Sequence, residues 1–324
     1  MFLGLGKTAL RVCVGYLCLL TVLVAIHFPY QVDRLTQAAR LDPSSMDPGG
    51  YYKKAYAPVT VKEVKAVKEA KQAEPERTAE AESSYVKRAR SGHESQEMVK
   101  HLTEFANQYG LANKKVLDVG AGIGYSQDIV ADYTGLDISP TARRYFHKPF
   151  IEASATAMPL PDNSYDAVWS IWVLEHVPQP ERSLEEVRRV TKDGGLIYMD
   201  PAWDCGWWAS EGYEVRPFRD FGFSGKVKKA SLPLLTSPYY IVAYLIPTRL
   251  VRQTAAKLLP GPTRLHYKAL KPNYDTCWAE DSDAVNSIDY HEMVLWFTSR
   301  GDECLNCGNP LLEAKELIVR VHKQ

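Results

Sequence analysis

The run Val116-Leu117-Asp118-Val119-Gly120-Ala121-Gly122-Ile123-Gly124 limits what this chain can fold into more than any other stretch. A short apolar strand ends in an acid, opens into a glycine loop and leads toward a helix. Glycines at such places let the backbone take positive φ and approach a bound molecule with no Cβ in the way. A strand feeding a loop of this kind marks the carboxyl end of the first strand of an α/β sheet, with a small cofactor against the loop. Alone, the same residues also suit an ordinary tight turn, so the downstream pattern decides between the two.

That pattern becomes regular from Ser84 onward. Glu97 to Tyr109 carries Met98, Leu102, Phe105 and Ala106 at helical spacing, an amphipathic helix leading into the first strand. Strands are then expected at 116–119, 133–138, 149–152, 166–171 and 195–199, and helices at 124–131, 140–146 and 180–190. Strands alternating with helices imply a parallel sheet covered on both faces. Asp193-Gly194-Gly195 reads as a helix stop, with glycine just past the helix end. Residues 201–285 break the rhythm and are rich in Trp, Tyr and Pro. After them His291–Thr298 and Glu316–His322 alternate like strands around a turn-rich segment, an antiparallel hairpin at one sheet edge.

The N-terminus is apolar. From Val12 to Pro29 eighteen residues carry no formal charge, enough for a tilted membrane-spanning helix. The bulky His27, Phe28, Pro29 and Tyr30 follow where a cleavage site would need small residues, so an uncleaved anchor is expected over a removed signal peptide. Lys7 and Arg11 before it and Arg34 and Arg40 after it leave its orientation open. Residues 42–84 shift to Pro, Gly, Lys, Glu and Ala with both charge signs, a solvated tether. The expected organisation is therefore a flank (1–11), a transmembrane signal anchor (12–29), a linker that is disordered or marginally helical (30–84), the sheet domain (85–200), an insertion forming a lid (201–285) and the C-terminal hairpin (286–324).

Charge and cysteine content remove other classes. Thirty-nine Lys and Arg balance thirty-nine Asp and Glu, which leaves no basic footprint for nucleic acid. Six scattered cysteines are too few for a disulfide scaffold. Cys304-x-x-Cys307 lacks the second pair that a structural zinc needs, with only Cys277, His266 or His291 to complete a set, so a turn with reduced thiols and no metal is expected.

Four stretches in order, VLDVGAGIG (116–124), GLDIS (135–139), AMPLPDNSYDAVWSIWVLEHV (157–177) and LEEVRRVTKDGGLIYMD (184–200), resemble class I S-adenosylmethionine-dependent methyltransferases, close to the type-11 group. The resemblance covers roughly Lys100 to Asp200 and, more loosely, the C-terminal hairpin. It implies an α/β, Rossmann-like, doubly wound seven-stranded sheet with a reversed C-terminal strand, here joined to the N-terminal transmembrane helix, and S-adenosyl-L-methionine as cofactor. Gly120, Ala121, Gly122 and Gly124 would form the loop beside the cofactor's amino-acid part, with Asp118 toward its ammonium. Asp137 would accept the ribose hydroxyls, because a charged acceptor makes the stronger bond; capping the next helix is its alternative role. Ile138, Ser154 and Ala155 would surround the adenine, although the group often carries an acid where Ser154 stands.

Methyl transfer needs the acceptor held in line, and a hydroxyl acceptor also needs a base. His176, in Leu174-Glu175-His176-Val177, is the candidate base, with a purely structural role as the alternative; Glu175 is the candidate orienting acid. Trp203, Trp207, Trp208, Tyr213 and Phe218 would line an acceptor pocket or form a core of their own. Tyr239–Leu250 reads as a core helix or as an element dipping into a membrane. The expected activity is methyl transfer to an oxygen of a small-molecule, glycan or lipid acceptor at a membrane, by a single-pass protein whose catalytic domain faces the cytoplasm, where the cofactor is made. One alternative is an NAD-dependent oxidoreductase or epimerase, which would want a third glycine where Tyr125 stands; the other is a catalytically silent scaffold of the same fold.

Overall fold

In the computed structural model, residues 8, 10–19, 21, 30–32, 48–57, 93–259, 261–276 and 278–323 are described. In chain order the elements begin with β1 (Tyr30–Val32), α1 (Pro48–Ala55), α2 (His93–Gln108), β2 (Lys115–Val119), β3 (Asp132–Asp137), β4 (Phe150–Glu152) and β5 (Tyr165–Ile171). There follow α3 (Pro180–Val190), β6 (Thr191–Asp200), α4 (Phe223–Leu235), α5 (Ile246–Leu258) and β7 (His266–Ala269). The last are β8 (Asn286–Ile288), α6 (Tyr290–Thr298), β9 (Glu303–Cys304) and β10 (Leu317–Arg320). These elements fall into two units, one of residues 47–173 and 182–199, the other of residues 1–46, 174–181 and 200–324.

The first unit is built on strands in the order β4-β3-β2-β5-β6. β2 runs parallel to both β3 and β5, and β3 parallel to β4. Val116, Leu117, Ala167, Val168 and Trp169 are fully buried, as expected of central strands covered on both faces, which read as nearly continuous apolar runs. α2 buries Leu102, Phe105 and Ala106, its i, i+3, i+4 stripe, and the Phe105 ring lies 5.1 Å from that of Tyr198. α3 does the same with Leu184, Val187 and Val190.

Two expected helices of this unit take other forms. Residues 125–131 are turns, and 140–146 becomes a short 3-10 helix, Pro140–Tyr145. Only seven residues separate Gly124 from β3, and polar side chains there claim the backbone groups a helix would use. Gln127 alone donates to Gly124 O at 2.9 Å and accepts from His147 N at 3.1 Å, the competition that keeps short polar segments out of helices.

In the second unit β1, β7 and β8 form an antiparallel sheet, and β9 pairs antiparallel with β10. His291–Thr298, expected as a strand, lies in α6. Every residue from Tyr290 to Phe297 is buried, and a segment buried all round carries no period that separates helix from strand. Asp289 caps it, accepting from His291 N at 2.9 Å. Cys304 and Cys307, expected as reduced thiols, are joined as a disulfide, whereas Cys277 lies outside the described residues.

The transmembrane helix expected at 12–29 is not supported: among the described residues no helix is long and apolar enough to cross a membrane. A span needs about 20 apolar residues in one helix, whereas the helical run described there is 10–19, with Tyr16 packed into a cluster with Leu235 and Tyr240. The single-pass localisation with a cytoplasm-facing domain falls with it. Within 30–84, read as a linker, the structure describes β1, α1 and residues 56–57, and the remainder lies outside the described residues.

Candidate functional site

In the first unit the carboxyl ends of β2, β3 and β4 gather most of the residues singled out in the sequence. The glycine loop leaves β2 with Gly120 at φ +75° and Gly122 at φ +52°, conformations that side chains with a Cβ avoid. Gly120 N and Ala121 N donate to Leu136 O at 2.7 and 3.0 Å, tying the loop to β3. A Cβ on Gly120 would run into Val173, and one on Gly122 would stand 3.3 Å from the Tyr56 hydroxyl.

Asp137 ends β3 and is almost fully buried. Its Oδ2 accepts Gly122 N at 2.9 Å and its Oδ1 accepts Ser139 N at 2.8 Å. One carboxylate thus fixes the glycine loop and the turn after β3, and each oxygen retains a second lone pair for another donor. Burial pushes its pKa up to about 6 against the pull of those backbone bonds. Asp118 is directed inward: Ser126 Oγ and Tyr133 Oη, the latter at 2.8 Å, both donate to its Oδ2, and burial raises its pKa.

Ile138 follows β3, and Ser154 and Ala155 lie just beyond β4, its paired neighbour, with Ala153 N donating to Asp137 O at 3.0 Å. Ile138 is 40% exposed although the rest of β3's carboxyl end is buried. Ser154 Oγ lies 2.9 Å from Thr156 Oγ1 and accepts Thr156 N at 3.2 Å, so part of its hydrogen-bonding capacity is used within its own turn.

Sequence reasoning missed α1 in this neighbourhood. Tyr52 and Tyr56 pack with Ile123, Ala142 and Phe150, Tyr145 Oη donates to Tyr56 O at 3.1 Å and Thr141 Oγ1 to Lys53 O at 2.9 Å. The signal was the pair of tyrosines four residues apart, hidden by charged and small residues around them. Trp172 was missed as well. It stands just beyond β5, 42% exposed, with φ +53°, a conformation rare for a bulky residue and common at functional turns.

In the second unit Glu175 and His176 form a short helical turn, Leu174–His176. Asn286 anchors it: its Nδ2 donates to Leu174 O at 2.8 Å and to Val177 O at 2.7 Å, and Val285 N donates to Glu175 O at 2.9 Å. The Glu175 side chain is 1% exposed. Burial pushes the Glu175 pKa up to about 7, against the opposing pull of the neighbouring imidazole, and His176 Nε2 stands 3.7 Å from Glu175 Oε1. On the other side of the ring, Nδ1 lies 3.4 Å from Asp283 O and 3.8 Å from Asp283 Oδ2. Asp283 and Asn286 belong to no recognisable motif, and nothing in the sequence marks them.

The aromatic residues of the insertion mostly pack on one another. Tyr213 stacks on Phe221 at 4.6 Å and meets Trp207 edge-on at 5.4 Å. Trp207 meets Trp208 at 5.7 Å and Trp203 meets Tyr290 at 5.2 Å. Of the five aromatics expected in a pocket, Phe218 alone is largely exposed.

Part of the chain is similar to known methyltransferases. Residues 117–199 match the family described as "Methyltransferase domain". An uncharacterized methyltransferase of Mycobacteroides abscessus is 38% identical over 116 residues, 32% of this chain and 45% of that protein. A demethylmenaquinone methyltransferase of Renibacterium salmoninarum is 41% identical over 96 residues, 26% of this chain and 40% of that protein. A sterol 24-C-methyltransferase of Gibberella zeae is 36% identical over 117 residues, 31% of each. The chain thus spans less than half the length of these curated relatives. Among solved structures, a sugar N-methyltransferase from Streptoalloteichus is similar with a TM-score of 0.32 and 19% identity, over 41% of this chain and 61% of that one. Over residues 117–199, the stretch that carries the glycine loop and Asp137, the chain matches a methyltransferase domain and is similar to class I S-adenosylmethionine-dependent methyltransferases.

Proposed function

We propose that the whole chain is an S-adenosylmethionine-dependent methyltransferase acting on an oxygen of an apolar, lipid-like acceptor. The observation that carries the cofactor half is Asp137, a buried carboxylate whose two oxygens hold the glycine loop and the following turn. Buried carboxylates are costly unless something uses them, and ribose hydroxyls would supply further donors to this one. Ile138 offers an exposed apolar surface beside it for the adenine face, Ser154 and Ala155 border it, and Gly120 to Gly124 leave room for the amino-acid part. When bound, S-adenosylmethionine supplies a methyl group on a sulfonium, open to in-line attack.

The acceptor half rests on the second unit and on the relatives. Asp283 and Glu175 flank His176 on its two nitrogens, an arrangement that orients the ring as the base that a hydroxyl acceptor requires. Glu175, with a pKa near 7, serves as a positioning acid. Relatives named for demethylmenaquinone and sterol support an apolar acceptor. Calorimetric titration with S-adenosylhomocysteine and, separately, with NAD tests the cofactor half: binding of the former alone is expected, and absence of that binding refutes the reading.

A further inference from the structure

From Phe221 to Tyr274 the chain carries nine Lys and Arg and not one Asp or Glu, although the whole sequence balances 39 against 39. α4 and α5 lie in this run, joined by a helical turn (Pro238–Tyr240) and a π-helical turn (Ile241–Leu245). α5 presents its residues in the reverse of the usual order. Arg249 points inward, its Nε 2.8 Å from Asp289 Oδ2 and its Nη1 2.8 Å from Leu311 O. Arg252 grips Glu292 with two bonds, at 2.8 and 2.9 Å. On the opposite face Leu250, Val251 and Leu258 are 45%, 69% and 77% exposed, with exposed Thr254 and Lys257 between them. A helix whose outer face meets water turns its charges outward and its leucines inward.

The exposed apolar side chains continue along the run. Phe223, Tyr239, Val242 and Leu259 all face outward, and Lys226 stands exposed beside Phe223. Single exposed apolar residues need no explanation, but a series of them on consecutive elements marks a surface that meets something apolar. The charge identifies what. Of the nine, Arg249, Arg252 and Arg264 pair with Asp289, Glu292 and Glu181. The outward charge of the two helices is therefore that of exposed Lys226 and Lys257, which a two-fold contact with a second copy would set like against like. An anionic bilayer supplies both requirements, an acyl boundary for the leucines and phosphates for the lysines.

We propose that the outer face of α4 and α5 lies on the surface of anionic lipid membranes. Leu250, Val251, Leu258 and Phe223 enter the headgroup–acyl boundary, and Lys226 and Lys257 meet lipid phosphates. The helices lie along the surface and do not cross it. This inference rests on the exposed face and its charge, independently of methyl transfer.

The test is flotation of the full chain with vesicles of phosphatidylcholine alone and of phosphatidylcholine mixed with phosphatidylglycerol. Binding to the mixed vesicles, release by salt and little binding to the neutral ones are expected. The double variant Lys226→Gln/Lys257→Gln should bind the mixed vesicles about thirtyfold more weakly, from about fivefold per lysine near an anionic surface. The double variant Val251→Asp/Leu258→Asp should not bind. Unchanged far-ultraviolet dichroism and an unchanged denaturant midpoint will show that both variants are folded. Equal binding to both vesicle types, full binding by either variant, or no binding overturns the proposal. So does light scattering that shows a dimer dissociated by Val251→Asp/Leu258→Asp without any vesicle binding.

Discussion

Replacing Asp137 by Asn separates the cost of a buried charge from its use. The carboxylate accepts two backbone donors, at 2.9 and 2.8 Å, and bonds to a charged group contribute about 1.5–3 kcal/mol each. The shift from 3.8 to about 6, which already includes the pull of those bonds, means that keeping it ionised near neutral pH still costs about 3 kcal/mol, at about 1.36 kcal/mol per pH unit. Asn accepts one N–H through its Oδ1 and turns an NH2 toward the other, leaving an orphan donor at about 1–3 kcal/mol, while the charge penalty disappears. Folding stability at neutral pH should therefore move by less than about 2 kcal/mol either way. Cofactor affinity should not be spared, because two charge-assisted acceptors for the ribose hydroxyls become at best one neutral acceptor. A loss of about 3 kcal/mol, or roughly a hundredfold, is expected.

The pH dependence adds a second readout of the same substitution. The folded pKa lies above the unfolded one, so the contribution of Asp137 to stability is fully present below about 3.8 and is lost as pH rises through about 6. Binding runs the other way, since the ribose site needs the ionised form. Affinity of the native chain for S-adenosylhomocysteine should weaken by up to about tenfold per pH unit as pH falls below about 6. In the Asn variant the Asp137 part of that slope should be gone. Calorimetric titrations between about pH 5 and pH 8, paired with denaturant unfolding, give both quantities. An Asn variant that binds within about threefold of the native chain at neutral pH would refute the assignment of Asp137 to the ribose.

Glu175→Gln removes a buried carboxyl whose pKa burial raises to about 7. Unfolding should show a gain of up to about 3 kcal/mol at pH 8 and about 1 kcal/mol or less at pH 5, since the penalty grows as pH rises from the unfolded value of 4.5 to about 7. Asn286→Ala strips the turn of two donors held at 2.8 and 2.7 Å, and denaturant unfolding should read a loss of about 2–4 kcal/mol. His176→Gln should lower kcat by about a hundredfold or more with S-adenosylhomocysteine affinity unchanged, measured by steady-state methylation and calorimetry; unaltered kcat would leave the imidazole a structural role.

The positions of Asp118, Gly120, Gly122 and Asp137 at strand ends were legible in the sequence, because apolar runs break there into glycine and acid. What polar side chains do inside the fold was not legible: Asp118 reads the same whether it faces a ligand or holds Ser126 and Tyr133. The strand assigned to 291–298 failed for a related reason, since α6 is buried all round and alternation there reflects composition more than geometry. Asp283 and Asn286 lie more than a hundred residues from the turn they support, a pairing that only the tertiary structure creates. The N-terminal apolar run was read as a span from its length and lack of charge, two properties that do not register whether its side chains find protein partners such as those around Tyr16.

The packing of α1 bears on how this protein can be cut for study. Composition places the start of the folded region near Ser84, and a fragment begun there would lack Tyr52 and Tyr56. Ile123, Ala142 and Phe150 would then face water where two rings now cover them, each tyrosine removing about 150–250 Å² from solvent. The glycine loop would also lose the hydroxyl that stands over Gly122. Such a fragment would retain all four sequence motifs and still present a bared apolar floor beside its glycine loop, inviting aggregation and weak binding that belong to the truncation and not to the native chain.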